Sequence, residues 1–127
     1  MPVPAHWGLA KIKDPEVPGR PAYTNTTYPF ELTPPQAPQA NPTSWYSTTV
    51  NVGGLTGGHG NRIVLRFEGV ESSYRVWVNG QWVGQAMGSR LIHEFDVTDS
   101  VLEGANDLVV LVHQFSAGSY LEDQDQW

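Results

Sequence analysis

The last nine residues, Ser119-Tyr120-Leu121-Glu122-Asp123-Gln124-Asp125-Gln126-Trp127, gather three carboxylates, two amides and two aromatic rings with no lysine or arginine among them. That mix of groups suits a sugar or a hard cation. Acidic oxygens accept hydrogen bonds from hydroxyls or ligate metal ions, and a ring offers an apolar face. The same composition also describes a solvated acidic tail. Glycoside cleavage uses two acids held about 5 to 9.5 Å apart across a sugar. Two carboxylates of one short loop seldom flank opposite faces of a ring, so Glu122, Asp123 and Asp125 point to binding rather than to bond breaking.

Other catalytic patterns are absent from the sequence. The glycine-rich run Gly53-Gly54-Leu55-Thr56-Gly57-Gly58-His59-Gly60 lacks the Lys-Ser/Thr with which a P-loop reaches phosphates and magnesium, and reads as a flexible connection. His6, His59, His93 and His113 lack the close spacing that builds a zinc site. No serine occupies a G-x-S-x-G elbow. With no cysteine there is neither a disulfide nor a thiol nucleophile, which suits a cytoplasmic protein without requiring one. A formal net charge of -6 argues against a nucleic-acid partner, which needs clustered Lys and Arg to displace counterions. No apolar run approaches the roughly 20 residues that span a bilayer, so no membrane partner is expected, and the start shows no export signal.

The elements that must position such groups read as β-structure. The 127 residues suit one domain. Residues 1–44 are expected to form a proline-rich strap: ten prolines deny it helix or central strand, while Trp7, Tyr23, Tyr28, Phe30 and Leu32 should hold it in order across a sheet. Residues 45–118 carry the strands. Apart from Val64, Ile63, Leu65 and Phe67 alternate with Arg62, Arg66 and Glu68, and Tyr74, Val76 and Val78 share one face. Asn79-Gly80 before Gln81-Trp82-Val83 signals a hairpin, because both turn residues tolerate positive φ. Leu108 to Val112 is apolar on both faces and reads as a central strand. Residues 119–127 form the acidic loop. About six strands, with no helix of ten or more residues, predict an all-β fold, an antiparallel β-sandwich of jelly-roll type.

Several blocks, in order, are more specific. Pro21-Ala22-Tyr23-Thr24-Asn25-Thr26-Thr27-Tyr28-Pro29-Phe30, Asn41-Pro42-Thr43, Phe67-Glu68-Gly69-Val70, Val76-Trp77-Val78-Asn79-Gly80, Gly88-Ser89-Arg90-Leu91, Glu94-Phe95-Asp96-Val97-Thr98 and Gly118 to Trp127 resemble the N-terminal sugar-binding domain of the family 2 β-galactosidases, from about Trp7 to Trp127. The resemblance implies a galactose-binding-like jelly roll that carries neither catalytic acid nor nucleophile. Those are two glutamates on a later barrel domain that hydrolyses terminal β-galactosides with retention. It further implies that Asn25 hydrogen-bonds galactosyl hydroxyls, and that Asp125 contacts the sugar and ligates an active-site sodium or potassium ion. Magnesium belongs to the parent enzyme and not to this stretch. The expected partners are a β-galactoside substrate shared with the barrel and the remaining domains of the parent, with homo-oligomerisation left open.

Without the resemblance, Asn25-Thr26-Thr27 is also an N-x-T sequon or a turn, and Asp125 also a cap. This sequence departs from the family at several places. His113-Gln114-Phe115-Ser116-Ala117 stands where the family has arginine, tryptophan and aspartate before the glycine. Gln126 replaces a methionine, Ile92 a proline, and Lys11 to Gly19 is longer. Family members continue past Trp127 into another strand, so the sequence reading expects a truncated sandwich with an open strand edge that pairs with a neighbouring copy. The alternative function is an autonomous carbohydrate-binding module of the same fold.

Overall fold

Alternating apolar and polar residues bury one face of a strand and leave the other to water, and this alternation builds the protein. The computed structural model describes residues 3, 5, 28–54 and 61–122. Along them run strands β1 (Thr43–Val52), β2 (Val64–Phe67), β3 (Ser73–Val78), β4 (Gln81–Met87), β5 (His93–Asp96) and β6 (Gly104–His113), followed by a single helical turn, α1 (Gly118–Leu121). One sheet has the order β1-β6-β3-β4 and a second pairs β2 with β5. All pairings are antiparallel. β1 begins two residues before the predicted boundary at Trp45, and α1 opens the segment expected to be loop.

The two sheets pack face to face. Tyr74, Val76 and Val78, predicted to share a face, are only 1%, 0% and 4% exposed. Tyr74 and Val76 cluster with Val110 and Val112 of β6, and Leu65, Phe67 and Phe95 of the second sheet pack against them. The Phe67 ring lies 4.8 Å from Tyr74 and 5.9 Å, edge-on, from Phe95. Gly84 makes the close approach possible: a Cβ there would sit 2.7 Å from Cε1 of Phe95. β6 is central as predicted, paired with β1 on one side and β3 on the other. Its second apolar face sets Leu111 opposite Trp45 and Val109 opposite Trp77.

The predicted hairpin joins β3 to β4, with φ of 50° at Asn79 and 76° at Gly80, the pairing of positive values that a two-residue turn needs to match strand twist. The Asn79 side chain does more than turn the chain. Its Nδ2 donates to the Ser100 carbonyl and to Oδ1 of buried Asn106, each at 2.8 Å, and its Oδ1 accepts the Asp107 N–H at 2.9 Å. Asn106 in turn accepts from Leu102 N and donates to the Leu102 and Gly104 carbonyls. Two amides thereby tie the hairpin to the connection between β5 and β6.

Among the described residues β1 and β4 bound the first sheet, and β2 and β5 each have one strand partner. No helix among them is long and apolar enough to cross a membrane.

Candidate functional site

Asn25 and Asp125 both lie outside the described residues, as do Asp123 and most of the strap. The chain next to each is described, and the two flanks meet. Tyr28 Oη donates to the Ser119 carbonyl at 3.3 Å and reaches the Tyr120 carbonyl at 3.5 Å. The Tyr28 and Tyr120 rings are 5.5 Å apart. Phe30 completes the cluster, 5.6 Å from Tyr28, 4.8 Å from Phe115 and 6.0 Å, edge-on, from Tyr120. Aromatic pairs at these separations and tilts add to the burial of their faces.

Polar bonds fix the same junction. Asn41 clamps the backbone of Phe115 with both ends of its amide: Nδ2 donates to the carbonyl at 2.7 Å and Oδ1 accepts the N–H at 2.9 Å. Gln114 N donates to the Pro42 carbonyl at 2.9 Å, and Tyr120 Oη to the Gln36 carbonyl at 2.8 Å. The described part of the strap thus follows the end of β6 into α1. Of the large apolar residues expected to anchor the strap, Tyr28 and Phe30 make these contacts and Leu32 is exposed, while Trp7 and Tyr23 lie outside the described residues.

Glu122 has a definite partner. Its carboxylate accepts the Ser89 N–H at 2.6 Å and also the Ser89 hydroxyl, which ties the end of α1 to the turn between β4 and β5. A second link lies beneath. The buried Ser72 hydroxyl donates to Ser116 Oγ at 2.9 Å, and Ser116 Oγ also accepts Gly118 N at 3.1 Å. Ser72 N donates to the His113 carbonyl, and Gly88 N to the Ser72 carbonyl. Sequence reasoning placed Glu122 among the ligand groups and gave Ser72, Ser89 and Ser116 no role of their own. Isolated serines near turns carry no pattern, and only the folded chain brings them together.

His113 sits at the edge of this platform. Its Nδ1 is 2.9 Å from Thr43 Oγ1, and that hydroxyl donates its single proton to the Asn41 carbonyl, so Nδ1 is the donor toward threonine. Burial, with the nearby positive charge of Arg75, pulls the imidazole below its ordinary range. That shift favours the neutral ring where the strap joins β1. Among the described residues no group of three or more His, Asp or Glu is arranged to hold a metal ion.

The family model described as glycosyl hydrolases family 2, sugar binding domain, matches residues 1–127. The chain is 52% identical over 128 residues to a beta-galactosidase of Arthrobacter sp. (strain B7), which covers 100% of this chain and 12% of that relative. It is 42% identical over 127 residues to a beta-galactosidase of Enterobacter cloacae, again covering 100% of this chain and 12% of the relative. Among solved structures, a beta-glucuronidase of an uncultured Clostridium sp. matches with a TM-score of 0.51 and 34% identity over 55% of this chain and 12% of that one. The beta-glucuronidase of Bifidobacterium dentium complexed with coumarin-3-O-glucuronide gives 0.52 and 34% over 56% of this chain and 11% of that one. The chain therefore spans about an eighth of the length of the curated relatives it matches.

Proposed function

Because this chain belongs to the glycosyl hydrolases family 2 sugar binding domain, we propose that it is the first domain of a β-galactosidase and supplies Asn25 and Asp125 to an active site whose reacting acids stand on another domain. The relatives that match across its whole length are beta-galactosidases, which favours a galactoside as substrate. The observation that carries the site assignment is the packing of Tyr28 on Ser119 and Tyr120. Asn25 stands three positions before Tyr28, and Asp125 three positions after Glu122. A stretch of that length spans at most about 11 Å, so the two side chains are tethered to one junction.

The chemistry follows from the residue types. The Asn25 amide both donates and accepts, which suits adjacent hydroxyls of a galactosyl ring. The Asp125 carboxylate accepts from a hydroxyl and is a hard oxygen donor for a sodium or potassium ion. Such an ion, when bound, polarises and orients a sugar hydroxyl. Retaining hydrolysis itself needs two carboxyl groups about 5 to 5.5 Å apart, and these belong to the rest of the parent enzyme. Glu122 acts as a staple: held by Ser89, it fixes the start of the segment that carries Asp125.

Kinetics of the full-length enzyme test the proposal. Asp125→Ala is expected to lower turnover and to abolish activation by sodium. Asn25→Ala is expected to lower kcat/KM by the equivalent of about 1 to 3 kcal/mol, the cost of leaving a polar partner unpaired. A full sodium response in Asp125→Ala would remove this residue from the cation site.

A further inference from the structure

At the opposite end of β4 from α1, an open bowl of about 540 Å³ is lined by Trp82, Asn61, Arg62, Asp96, Thr98 and Asp99, among others. Met87, which contacts Gly118 at the α1 end, is five residues along the strand from Trp82, a separation of about 17 Å. The bowl and the Tyr28–Tyr120 junction are therefore separate surfaces.

Trp82 is 53% exposed, yet its ring is braced. Trp77 meets it edge-on at 5.3 Å, and Trp45 packs on Trp77 at 5.5 Å. An indole fixed in this way offers an apolar face without a further ordering cost. The polar groups beside it are also held in place. Arg62 Nε donates to Asp96 Oδ2 at 2.8 Å. Asp96 Oδ1 accepts the Thr98 N–H at 3.1 Å and the Thr98 hydroxyl at 2.6 Å. Among the described residues no hydrogen bond engages the Nη groups of Arg62, so donors of its planar fork remain for a ligand.

We propose that this bowl is a second carbohydrate-binding site, for a neutral pyranose, with Trp82 as its stacking face and Arg62 and Asp96 as its hydroxyl partners. The charges select the class. One guanidinium faces two carboxylates, Asp96 and Asp99, in a chain of net charge -6. A phosphate or a uronate would be repelled, whereas an uncharged ring with hydroxyls finds both a donor and an acceptor. The site does not depend on the roles proposed for Asn25 and Asp125, and its test separates the two.

Affinity electrophoresis of the full-length protein through gels containing neutral galactan, with polygalacturonate gels as the anionic control, reads the site directly. Galactan is expected to retard the wild type and polygalacturonate to leave it unretarded. Trp82→Ala should weaken the interaction with galactan about tenfold, with an unchanged melting profile, and Trp82→Phe should recover part of it. The Asn25→Ala/Asp125→Ala double variant should keep the wild-type retardation. Equal retardation of wild type and Trp82→Ala, no retardation of the wild type, or retention in polygalacturonate alone would each overturn the proposal. Loss of retardation in the double variant would also overturn it, by assigning the binding to the other site.

Discussion

Tyr74 occupies the centre of the inter-sheet core at 1% exposure, and among the described residues its hydroxyl has no hydrogen-bond partner. Burial pushes the phenol up to about 12 from 10.0. The sign of the pH effect follows. Above pH 10 the unfolded chain releases this proton while the folded chain keeps it, so stability is full below pH 10 and falls as the pH rises toward 12. Tyr74→Phe is expected to leave stability near neutral pH within about 1 kcal/mol of wild type or to raise it, since it removes an unpaired buried hydroxyl. It should also flatten the alkaline loss. Urea denaturation between pH 7 and pH 12 checks both, and an unaltered alkaline slope would count against the account of Tyr74. Alternation with Val76 and Val78 made the burial of Tyr74 legible in the sequence. The fate of its hydroxyl was not, because that depends on the atoms opposite it in the second sheet.

Among the elements, the β3–β4 hairpin separates what sequence reveals from what packing adds. Asn79-Gly80 announced the turn, and both residues have the positive φ it requires. The three hydrogen bonds from the Asn79 amide to Ser100, Asn106 and Asp107 were silent, since their partners lie 21 to 28 residues away. Asn79→Gly keeps the turn conformation at little strain and removes the bonds. The expected loss is roughly 2 to 3 kcal/mol by thermal or urea unfolding. A loss of only a few tenths would mean that Asn79 serves the turn alone. Gly84 was equally invisible: glycine within a strand carries no burial pattern, yet it admits the Phe95 ring. The turn α1 was missed for want of length, since four residues cannot display a helical period.

For the molecule as a whole, fold class was readable from periodicity, and family from the order of several short blocks. The pairing of Asn25 with Asp125 in the candidate site was suggested only by that resemblance. Asn25 and Asp125 are a hundred residues apart, and no local pattern joins them. What joins their flanks is the contact of Tyr28 and Phe30 with Phe115, Ser119 and Tyr120, a product of β6 returning the chain beside the strap. The central claim is that both side chains serve one sugar in an active site completed elsewhere in a longer enzyme. A crystal structure of the full-length protein, soaked with a slowly hydrolysed galactoside and with thallium as a stand-in for the monovalent cation, tests it most directly. The account predicts the Asn25 amide and the Asp125 carboxylate on the same galactosyl ring, with the thallium peak beside Asp125. A galactoside bound between the catalytic acids with neither side chain within hydrogen-bonding distance of it would contradict the account.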